Sequence, residues 1–433
     1  MSEPRHVVIV GGGFAGLTAA RALARQRGLR ITVVDRANHH LFQPLLYQVA
    51  TAAINPSDIA EPIRSVLRSQ PNVEVVLGEV RTISAGERRV ALADGTLLDY
   101  DWLVLAPGGR HAYFGHPEWE ALAPGLKTIE DALEVRRRVL TAFELAERAT
   151  TSEERHRHLT FVVIGGGPTG VEVAGAIAEI KNRALRRDFR RIDPRDATVL
   201  LLEGGPRILP SYPPALSQKA KEILRRLGVD VRTDARVTGL EAGAVTCVGW
   251  RIPTDTVVWA AGNAASPLVG QLGAPLDRTG RAAVEADCSV PGRPEVFVLG
   301  DAAVYSHDAR FRDGLPGIAP VAMQQGRYVA AAIAADLAGR PRRPFRYVDK
   351  GQLAVIGRGK AVADVGPVHS AGFFAWLTWI FIHIAYLIGF ANRLLVLIQW
   401  AVLYVTFHRG ARLITREWRP GGDGRTGGRA DGR

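Results

Sequence analysis

The sequence of 433 residues predicts an α/β protein in which one β-α-β domain is inserted into another. A glycine-rich turn between a β-branched run and a helical run occurs twice, at residues 11–16 and 165–170. Another buried strand is predicted at 296–299, beyond the second turn, so the first domain resumes there. The length exceeds one ordinary core and allows two or three domains.

The first β-α-β unit begins at residues 6–10, a β-branched run that predicts a buried parallel strand. A helix is predicted at 17–24, and a second strand at 30–34 ends at Asp35. The same order recurs with a strand at 160–164, a helix at 171–184 and a strand at 198–202 that ends at Glu203. Both units therefore predict doubly wound, Rossmann-like sheets.

Nesting of the two units predicts the boundaries of the domains. We expect the first part of one domain at 1–125, an inserted domain at 126–280, the second part at 281–340, a carboxyl-terminal domain at 341–418 and a disordered tail at 419–433.

Each glycine of the first turn has its own predicted steric role. Gly11 allows a tight turn, Gly13 lets the backbone approach a pyrophosphate, and Gly16 lets the helix pack closely on the strand. The positive end of the helix faces the phosphate charge, and Asp35 is placed to accept hydrogen bonds from ribose hydroxyls. These features predict a dinucleotide site, although a lone glycine pattern would indicate only a flexible turn.

The second turn predicts another dinucleotide site, from Gly165, Gly167, Gly170 and Glu203. A carboxylate at Glu203 favours a free 2′-hydroxyl over a 2′-phosphate and thus NADH over NADPH, while Arg207 nearby favours the opposite. Two such sites in one chain predict FAD at the first and NADH at the second, with hydride passing from one to the other. Asp301 is expected beside the flavin ribityl chain, or as a turn former, and a helix from about Val321 is expected to point its positive end at the flavin.

These turns and three further segments resemble the type II NADH dehydrogenases, single-chain NADH:quinone oxidoreductases among the glutathione-reductase-like, two-dinucleotide flavoproteins. The segments are 38–47 (NHHLFQPLLY), 170–172 (GVE) and 322–326 (AMQQG). The resemblance covers about residues 5–415. It departs from the family pattern at Pro320, where the family has a glutamine.

The fingerprints and the resemblance together predict which residues contact FAD or NADH. These are Gly11, Gly13, Phe14, Ala15, Gly16, Asp35, Arg36, Gln43, Pro44, Val80, Ala106, Gly108, Gly165, Gly167, Thr169, Gly170, Glu203, Gly262, Asp301, Ala319 and Val321.

The resemblance also implies a quinone site and a catalytic residue. It implies quinone contacts from Tyr47, Gln324 and Gln325, although the two glutamines could equally lie on an ordinary helix surface. It implies that Glu172 lies near the reacting rings. The alternative for Glu172 is a carboxylate in the first helical turn that the helix dipole favours and that has no further role.

The two cysteines, Cys247 and Cys288, are far apart and form no C-x-x-C pair. We interpret both as small buried residues. The absence of a cysteine pair excludes the disulfide relay of the disulfide reductases. The positions of the two cysteines also do not fit the cysteine pattern of the sulfide:quinone oxidoreductases. No thiolate metal site is expected. Electrons would leave the flavin directly.

The carboxyl-terminal third combines apolar runs with arginines. Residues 373–391 have no formal charge if His383 is neutral and would span about 28 Å as one helix. A second apolar run follows at 394–407. Asn392, Gln399 and Thr406 repeat every seven residues, which places them on one face of this second helix. We favour helices that lie in a membrane interface over a spanning helix, with a buried contact in a homodimer as the third alternative.

The whole chain has a net charge of +12, and arginines are clustered around these apolar runs. This combination favours a membrane surface, with no nucleic acid as partner. No secretory signal is expected, because the first strand starts at His6. We therefore predict a non-proton-pumping NADH:quinone oxidoreductase of the respiratory chain, peripheral on the cytoplasmic face of the cell inner membrane. The alternatives are a soluble NADH-dependent ferredoxin or rubredoxin reductase and a non-catalytic flavin redox sensor.

Overall fold

The computed structural model describes residues 3–388, 390–406 and 411–414, without the side chains of 390–392 and 402–406. The predicted disordered tail at 419–433 and the side chains of Asn392 and Thr406 lie outside this description. The described residues fall into two compact units. The first unit takes residues from Met1–Phe42, Ala60–Ala112 and Asn263–Lys350, and the second from Gln43–Ile59, Tyr113–Gly262 and Gly351–Arg433.

The predicted domain boundaries stay a prediction, because packing units and inserted segments need not share their ends.

The helices are α1 Phe14–Leu23, α2 Leu46–Ala50, α3 Ile63–Leu67, α4 Trp119–Leu122, α5 Ile129–Arg148, α6 Ser152–His158, α7 Pro168–Glu179, α8 Pro214–Arg226, α9 Ala319–Leu337, α10 Phe373–Tyr386 and α11 Phe390–Thr406.

The strands are short and numerous. They are β1 Arg5–Val10, β2 Leu29–Asp35, β3 His39–Leu41, β4 Ala60–Pro62, β5 Val73–Leu77, β6 Val80–Ser84, β7 Arg89–Leu92, β8 Leu97–Asp99, β9 Trp102–Leu105, β10 Gly109–His111, β11 Thr160–Ile164, β12 Thr198–Leu202, β13 Val229–Arg232, β14 Val237–Glu241, β15 Ala244–Cys247, β16 Trp250–Pro253, β17 Thr256–Trp259, β18 Asn263–Ala265, β19 Ala282–Ala283, β20 Ser289–Val290, β21 Arg293–Val298, β22 Ala303–Val304, β23 Gln352–Gly357, β24 Lys360–Val365 and β25 Val368–Gly372.

The first unit is built on a sheet with the strand order β20-β21-β9-β1-β2-β5. All neighbours in it are parallel except β20 and β21. Residues 7–10 of β1 are buried, as the continuous apolar run predicts for a strand covered on both faces. The predicted resumption of the first domain is visible here, because β21 pairs with β9 in register Val296 to Leu103.

In the first unit, α9 packs closely on α1. A Cβ placed on Gly326 would lie 2.4 Å from the carbonyl oxygen of Ala15, so only glycine allows this helix crossing. Gly326 is the last residue of the 322–326 segment, one of those on which the family resemblance rests. Its steric role is to bring α9 against the helix that follows the first glycine turn.

The second unit repeats this arrangement on a smaller sheet, with the parallel order β13-β12-β11-β17. The hairpin sheet β23-β24-β25 packs on α7 in the same unit. A Cβ on Gly175 would lie 1.9 Å from the carbonyl oxygen of Ile356, so a glycine inside α7 allows β23 to approach the helix backbone. Both cysteines are buried and free, as predicted.

The apolar run predicted as one helix over residues 373–391 is interrupted. Helix α10 ends at Tyr386, Leu387 is extended with φ −64° and ψ 131°, and α11 begins at Phe390. The guanidinium of Arg393 donates to the carbonyls of Leu387 and Ala385, at 2.7 and 3.1 Å, which satisfies backbone groups that the interrupted helix leaves open. Within the described residues, no helix has the length and apolar character needed to cross a bilayer.

Candidate functional site

The first glycine turn lies where β1 ends and α1 begins. Gly11 has φ +103°, and a Cβ on it would lie 2.2 Å from the carbonyl oxygen of Ala106, at the end of β9. A Cβ on Gly16 would lie 1.8 Å from the carbonyl oxygen of Gly11. A Cβ on the exposed Gly13 would meet nothing within 4 Å. Two glycines therefore close the turn, and the third leaves open space above the helix terminus for a ligand.

Asp35 holds this turn from the end of β2. One carboxylate oxygen accepts from the backbone N–H of Gly12 at 2.5 Å, and the other accepts from Ala37 at 2.7 Å. The side chain is partly exposed, so oxygen lone pairs remain for a ligand hydroxyl.

The second glycine turn has the same construction. Gly165 has φ +107°, and its Cβ would lie 2.6 Å from the carbonyl of Ala260, which follows β17 as Ala106 follows β9. A Cβ on Gly170 would lie 1.8 Å from the carbonyl oxygen of Gly165, while one on Gly167 would meet nothing within 4 Å. The two turns thus share one steric plan.

Glu203 takes the place of Asp35 in the second unit. Its two carboxylate oxygens accept from the backbone N–H groups of Gly166 and Gly205, at 2.7 and 2.6 Å. The guanidinium of Arg207 donates to the carbonyls of Tyr212 and Pro210, at 2.8 and 2.7 Å. Arg207 is therefore held by the backbone of its own loop, which weakens its role as a 2′-phosphate ligand.

Asp301 lies in a turn after β21, in the first unit. Its carboxylate accepts from the amide of Asn263 at 3.3 Å. The preceding residue, Gly300, has φ +64°, and its N–H donates to the side-chain oxygen of Gln325 at 2.7 Å. Helix α9 begins at Ala319, with Pro320 in the first turn, where its missing N–H costs nothing.

The remaining predicted cofactor residues are spread along the ends of strands and helices. In the first unit, Phe14 and Ala15 begin α1, Arg36 is exposed after β2, Val80 begins β6, Gly108 follows β9 with φ +70° and Val321 is buried in α9. In the second unit, Gln43 and Pro44 form a 3₁₀ turn, Thr169 lies in the first turn of α7 and Gly262 follows β17 with φ +74°.

Glu172 and Tyr47 lie on the wall of one cavity in the second unit. The cavity comprises about 580 Å³ of empty space, part of it open to solvent. Its wall also includes Gln48 from α2, Glu179 from α7 and Arg358 from the hairpin after β23. Tyr47 is only 6% exposed, and its hydroxyl accepts from the amide of Gln48 at 3.1 Å. These residues form a partly open cavity with two carboxyl groups, those of Glu172 and Glu179, in its wall.

Burial raises the pKa of Glu172 to about 8, and one hydrogen bond from the backbone N–H of Val355, at 3.4 Å, opposes that shift. The carboxyl group therefore holds its proton at neutral pH. The alternative interpretation, in which Glu172 lies in the first helical turn, is wrong. Because α7 begins at Pro168, Glu172 is its fifth residue, beyond the range in which a helix dipole acts on it strongly.

The two glutamines predicted for quinone belong to the first unit and are both engaged by backbone. Gln324 pairs with Val348, donating to its carbonyl and accepting from its N–H, each at 2.9 Å. Gln325 is 1% exposed, unlike a residue on an ordinary helix surface. Quinone contacts from these amides stay a prediction.

The contact between Glu172 and β23 has no local sequence signal, because 183 residues separate Glu172 from Val355. A partial signal existed at Gly175, since a glycine inside a predicted helix suggests close approach of another backbone. The cavity residues Gln48 and Glu179 carried no recognisable pattern.

Comparison with known proteins gives consistent results. The family model described as pyridine nucleotide-disulphide oxidoreductase matches residues 5–326. The chain is 45% identical to the type II NADH:quinone oxidoreductase Ndh of Mycobacterium tuberculosis, over 95% of this chain and 90% of that protein. It is 32% identical to the demethylphylloquinone reductase NdbB of a Synechocystis species, over 83% and 86%.

Among solved structures, the NDH2 of Plasmodium falciparum in complex with NADH is similar in fold. The TM-score is 0.85 with 19% identity, and the similarity covers 95% of this chain and all of that one. At this identity the likeness establishes the fold alone.

Proposed function

Since the chain belongs to the type II NADH:quinone oxidoreductases, within the pyridine nucleotide-disulphide oxidoreductase family, we propose that it oxidises NADH and reduces a membrane quinone. The observation that carries the proposal is the repeated site. One chain holds two glycine turns of the same construction, each closed by a carboxylate, and a cavity lined by Glu172, whose pKa is raised to about 8 by burial. FAD is the resident cofactor and NADH the substrate.

FAD fits the first unit. The open space at Gly13 admits a pyrophosphate to the amino terminus of α1, and Asp35 holds the turn while offering lone pairs to ribose. Asp301 offers a partly exposed carboxylate from the turn after β21. When bound, FAD supplies the chemistry of accepting hydride from NADH and releasing two electrons to quinone.

NADH fits the second unit through the matching open space at Gly167 and the carboxylate of Glu203. A carboxylate repels a 2′-phosphate and hydrogen-bonds a 2′-hydroxyl, and Arg207 is turned to the carbonyls of its own loop. These features support NADH over NADPH.

Glu172 supplies a proton in this proposal. Reduction of a quinone to a quinol takes up two protons, and a carboxyl group that keeps its proton up to about pH 8 can donate one to a quinone oxygen. The hydroxyl of Tyr47 faces the same cavity and can orient the quinone. Nothing in this step requires proton pumping.

We place the protein on a membrane as a peripheral protein, on the cytoplasmic face of the cell inner membrane. The support is the exposure of large apolar side chains on α10 and α11, including Phe374 at 77% and Phe381 at 78%. Two helices with such exposed apolar faces suit attachment in the bilayer interface.

Anaerobic reduction of the protein-bound flavin by NADH, followed by reoxidation with several quinones, tests this function. We expect bleaching by NADH, slower bleaching by NADPH, and return of the flavin absorbance on addition of a short-chain quinone. A flavin that NADH bleaches and no quinone reoxidises would instead support the redox sensor.

A further inference from the structure

A run of arginines follows α7 and is separate from the cofactor sites. Residues 183–191, called the basic segment below, contain Arg183, Arg186, Arg187, Arg190 and Arg191, all of them exposed. Asp188 is the one acidic residue in the run. Neither glycine turn contains any residue of the basic segment.

The basic segment is held through its backbone, while its arginine side chains are exposed. The carboxylate of Glu147, on α5, accepts from the backbone N–H groups of Arg190 and Arg191 at 2.9 to 3.0 Å. This acidic residue therefore holds the segment in place through backbone hydrogen bonds. Among the described residues, Arg186, Arg187 and Arg191 form no ion pair.

Arg412 connects the basic segment to the carboxyl-terminal region. Its guanidinium donates to the carbonyl of Ala184 at 2.8 Å and forms an ion pair with Asp188. The pairing neutralises the single negative charge of the segment. The next residues, Leu413 and Ile414, are 67% and 38% exposed, so exposed apolar side chains directly follow Arg412 in the chain.

The helices that precede Arg412 expose apolar side chains on one face and bury the other. Trp400 on α11 is 2% exposed, and its indole N–H donates to the side chain of Gln48 at 2.7 Å, which fixes the buried face. The exposed face carries Leu394, Leu395, Leu397 and Ile398 on α11 and Phe373, Phe374, Leu377 and Phe381 on α10. A surface of this kind is unfavourable in water and suits insertion into the interfacial region of a bilayer.

We propose that the basic segment binds the phosphate groups of anionic lipids while the apolar residues of α10, α11 and 413–414 enter the adjacent acyl region. Guanidinium groups match phosphate by paired, charge-assisted hydrogen bonds, and those of Arg186, Arg187 and Arg191 are exposed on this segment. The proposal rests on the proposed function, in which the protein attaches to a membrane. It adds a preference for anionic over neutral lipids, and this preference comes from the basic segment and not from the carboxyl-terminal helices.

The basic segment also begins at the cavity, because Arg183 and Ala184 line the same wall as Glu172 and Tyr47. Lipid phosphates bound along the segment would therefore hold the bilayer surface against the region where the cavity wall meets solvent. A quinone leaving the bilayer would then have a short path to Glu172.

The test is flotation of the full-length, FAD-loaded protein with vesicles of phosphatidylcholine alone or with 30% phosphatidylglycerol. We expect the wild type to bind the anionic vesicles roughly tenfold more tightly than the neutral ones, and to lose that preference in high salt. The variant R186Q/R187Q/R191Q should lose the preference and retain its binding to neutral vesicles. In detergent, its turnover of NADH with a short-chain quinone should equal that of the wild type.

The control variant is K219Q/R225Q/R226Q, which removes the same charge from the exposed face of α8 and should bind anionic vesicles like the wild type. Equal binding of wild type to both vesicles, or an unchanged preference in R186Q/R187Q/R191Q, would overturn the proposal. A polyglutamate peptide that binds the wild type, with no vesicle preference, would indicate an acidic protein partner instead. Failure of the proposed function would appear separately, as absent quinone turnover in detergent.

Discussion

The carboxylate of Glu203 accepts a hydrogen bond from the backbone N–H of Gly166 at 2.7 Å, so the residue at the end of β12 holds the middle of the second glycine turn. Asp35 and Gly12 make the equivalent bond in the first unit, at 2.5 Å. In both units the acidic residue therefore supports the turn. We predict that it has a second task, to receive a ribose hydroxyl.

Glu203→Gln tests the second task. The amide oxygen can still accept from Gly166, but the charge that repels a 2′-phosphate is lost. We expect kcat/KM for NADPH relative to NADH to rise about tenfold, equivalent to about 1.4 kcal/mol. Steady-state kinetics with both nucleotides measure the ratio, and Glu241→Gln, at an exposed ion pair with Arg251, is the control. An unchanged ratio would remove Glu203 from nucleotide discrimination.

Gly13→Ala and Gly167→Ala separate the two dinucleotide sites. Neither new Cβ meets protein atoms within 4 Å, so both variants should fold, but each methyl group stands where a pyrophosphate must approach. We expect Gly13→Ala to lose most of its FAD. Gly167→Ala should keep its FAD and show a KM for NADH raised roughly tenfold.

Flavin absorbance per chain and the KM for NADH measure these effects. Gly86→Ala is the control, since its Cβ also meets nothing within 4 Å and no positive φ opposes it. Loss of FAD from both variants, or from neither, would contradict the assignment of one cofactor to each turn.

The sequence predicted these turns well because every part of them is local. A strand, a glycine turn, a helix and an acidic residue at the end of the next strand all lie within residues 6–35 in the first unit and within residues 160–203 in the second. The break after Tyr386 was missed because its stabilising contact, from Arg393 to two carbonyls, leaves hydropathy unchanged. The cavity around Glu172 was also out of reach, since it is assembled from segments near residues 47, 172 and 355 that only folding brings together.

Gln325→Ala and Gln324→Ala distinguish support of the fold from contact with quinone. Gln325 is buried and satisfies the N–H of Gly300, so its loss should lower the free energy of unfolding by about 1–3 kcal/mol and weaken FAD retention. Gln324 is partly exposed, so its loss should cost about 1 kcal/mol or less. A KM for quinone raised in Gln324→Ala, with normal FAD content, would support the predicted quinone contact, and normal kinetics would contradict it.

Arg136 is a buried cation that binds three backbone carbonyls in the second unit. Its guanidinium donates to Val49, Ala411 and Ile54 at 2.8 to 3.2 Å, and the side chain is 4% exposed. We expect Arg136→Met to lower the free energy of unfolding by roughly 2–5 kcal/mol, because three carbonyls lose their donor. Denaturant unfolding measures this loss, with Arg225→Met on the exposed face of α8 as the control. A loss no larger than that of the control would show that water satisfies these carbonyls.

Glu172 links stability and catalysis through its pKa of about 8. Between about pH 4.5 and 8 the unfolded chain releases this proton and the folded protein keeps it, so the folded state loses relative stability as the pH rises. The loss is at most about 1.4 kcal/mol per pH unit and stops above pH 8. Glu172→Gln has no proton to release. The variant should therefore gain stability over the wild type between pH 5 and pH 8, as measured by denaturant unfolding at each pH.

The same substitution should separate the two half-reactions. An amide cannot donate the proton that a quinone oxygen takes up, so quinone reduction should fall at least about tenfold in Glu172→Gln. Reduction of the flavin by NADH should stay within about twofold of the wild type, since that step needs no proton from the cavity. In the wild type, quinone reduction should decline as the pH rises through about 8, and the variant should lack this decline. Stopped-flow measurements of each half-reaction, at pH values on both sides of 8, decide the role of Glu172. If the pH profile of the variant equals that of the wild type, Glu172 has only its structural contact with Val355.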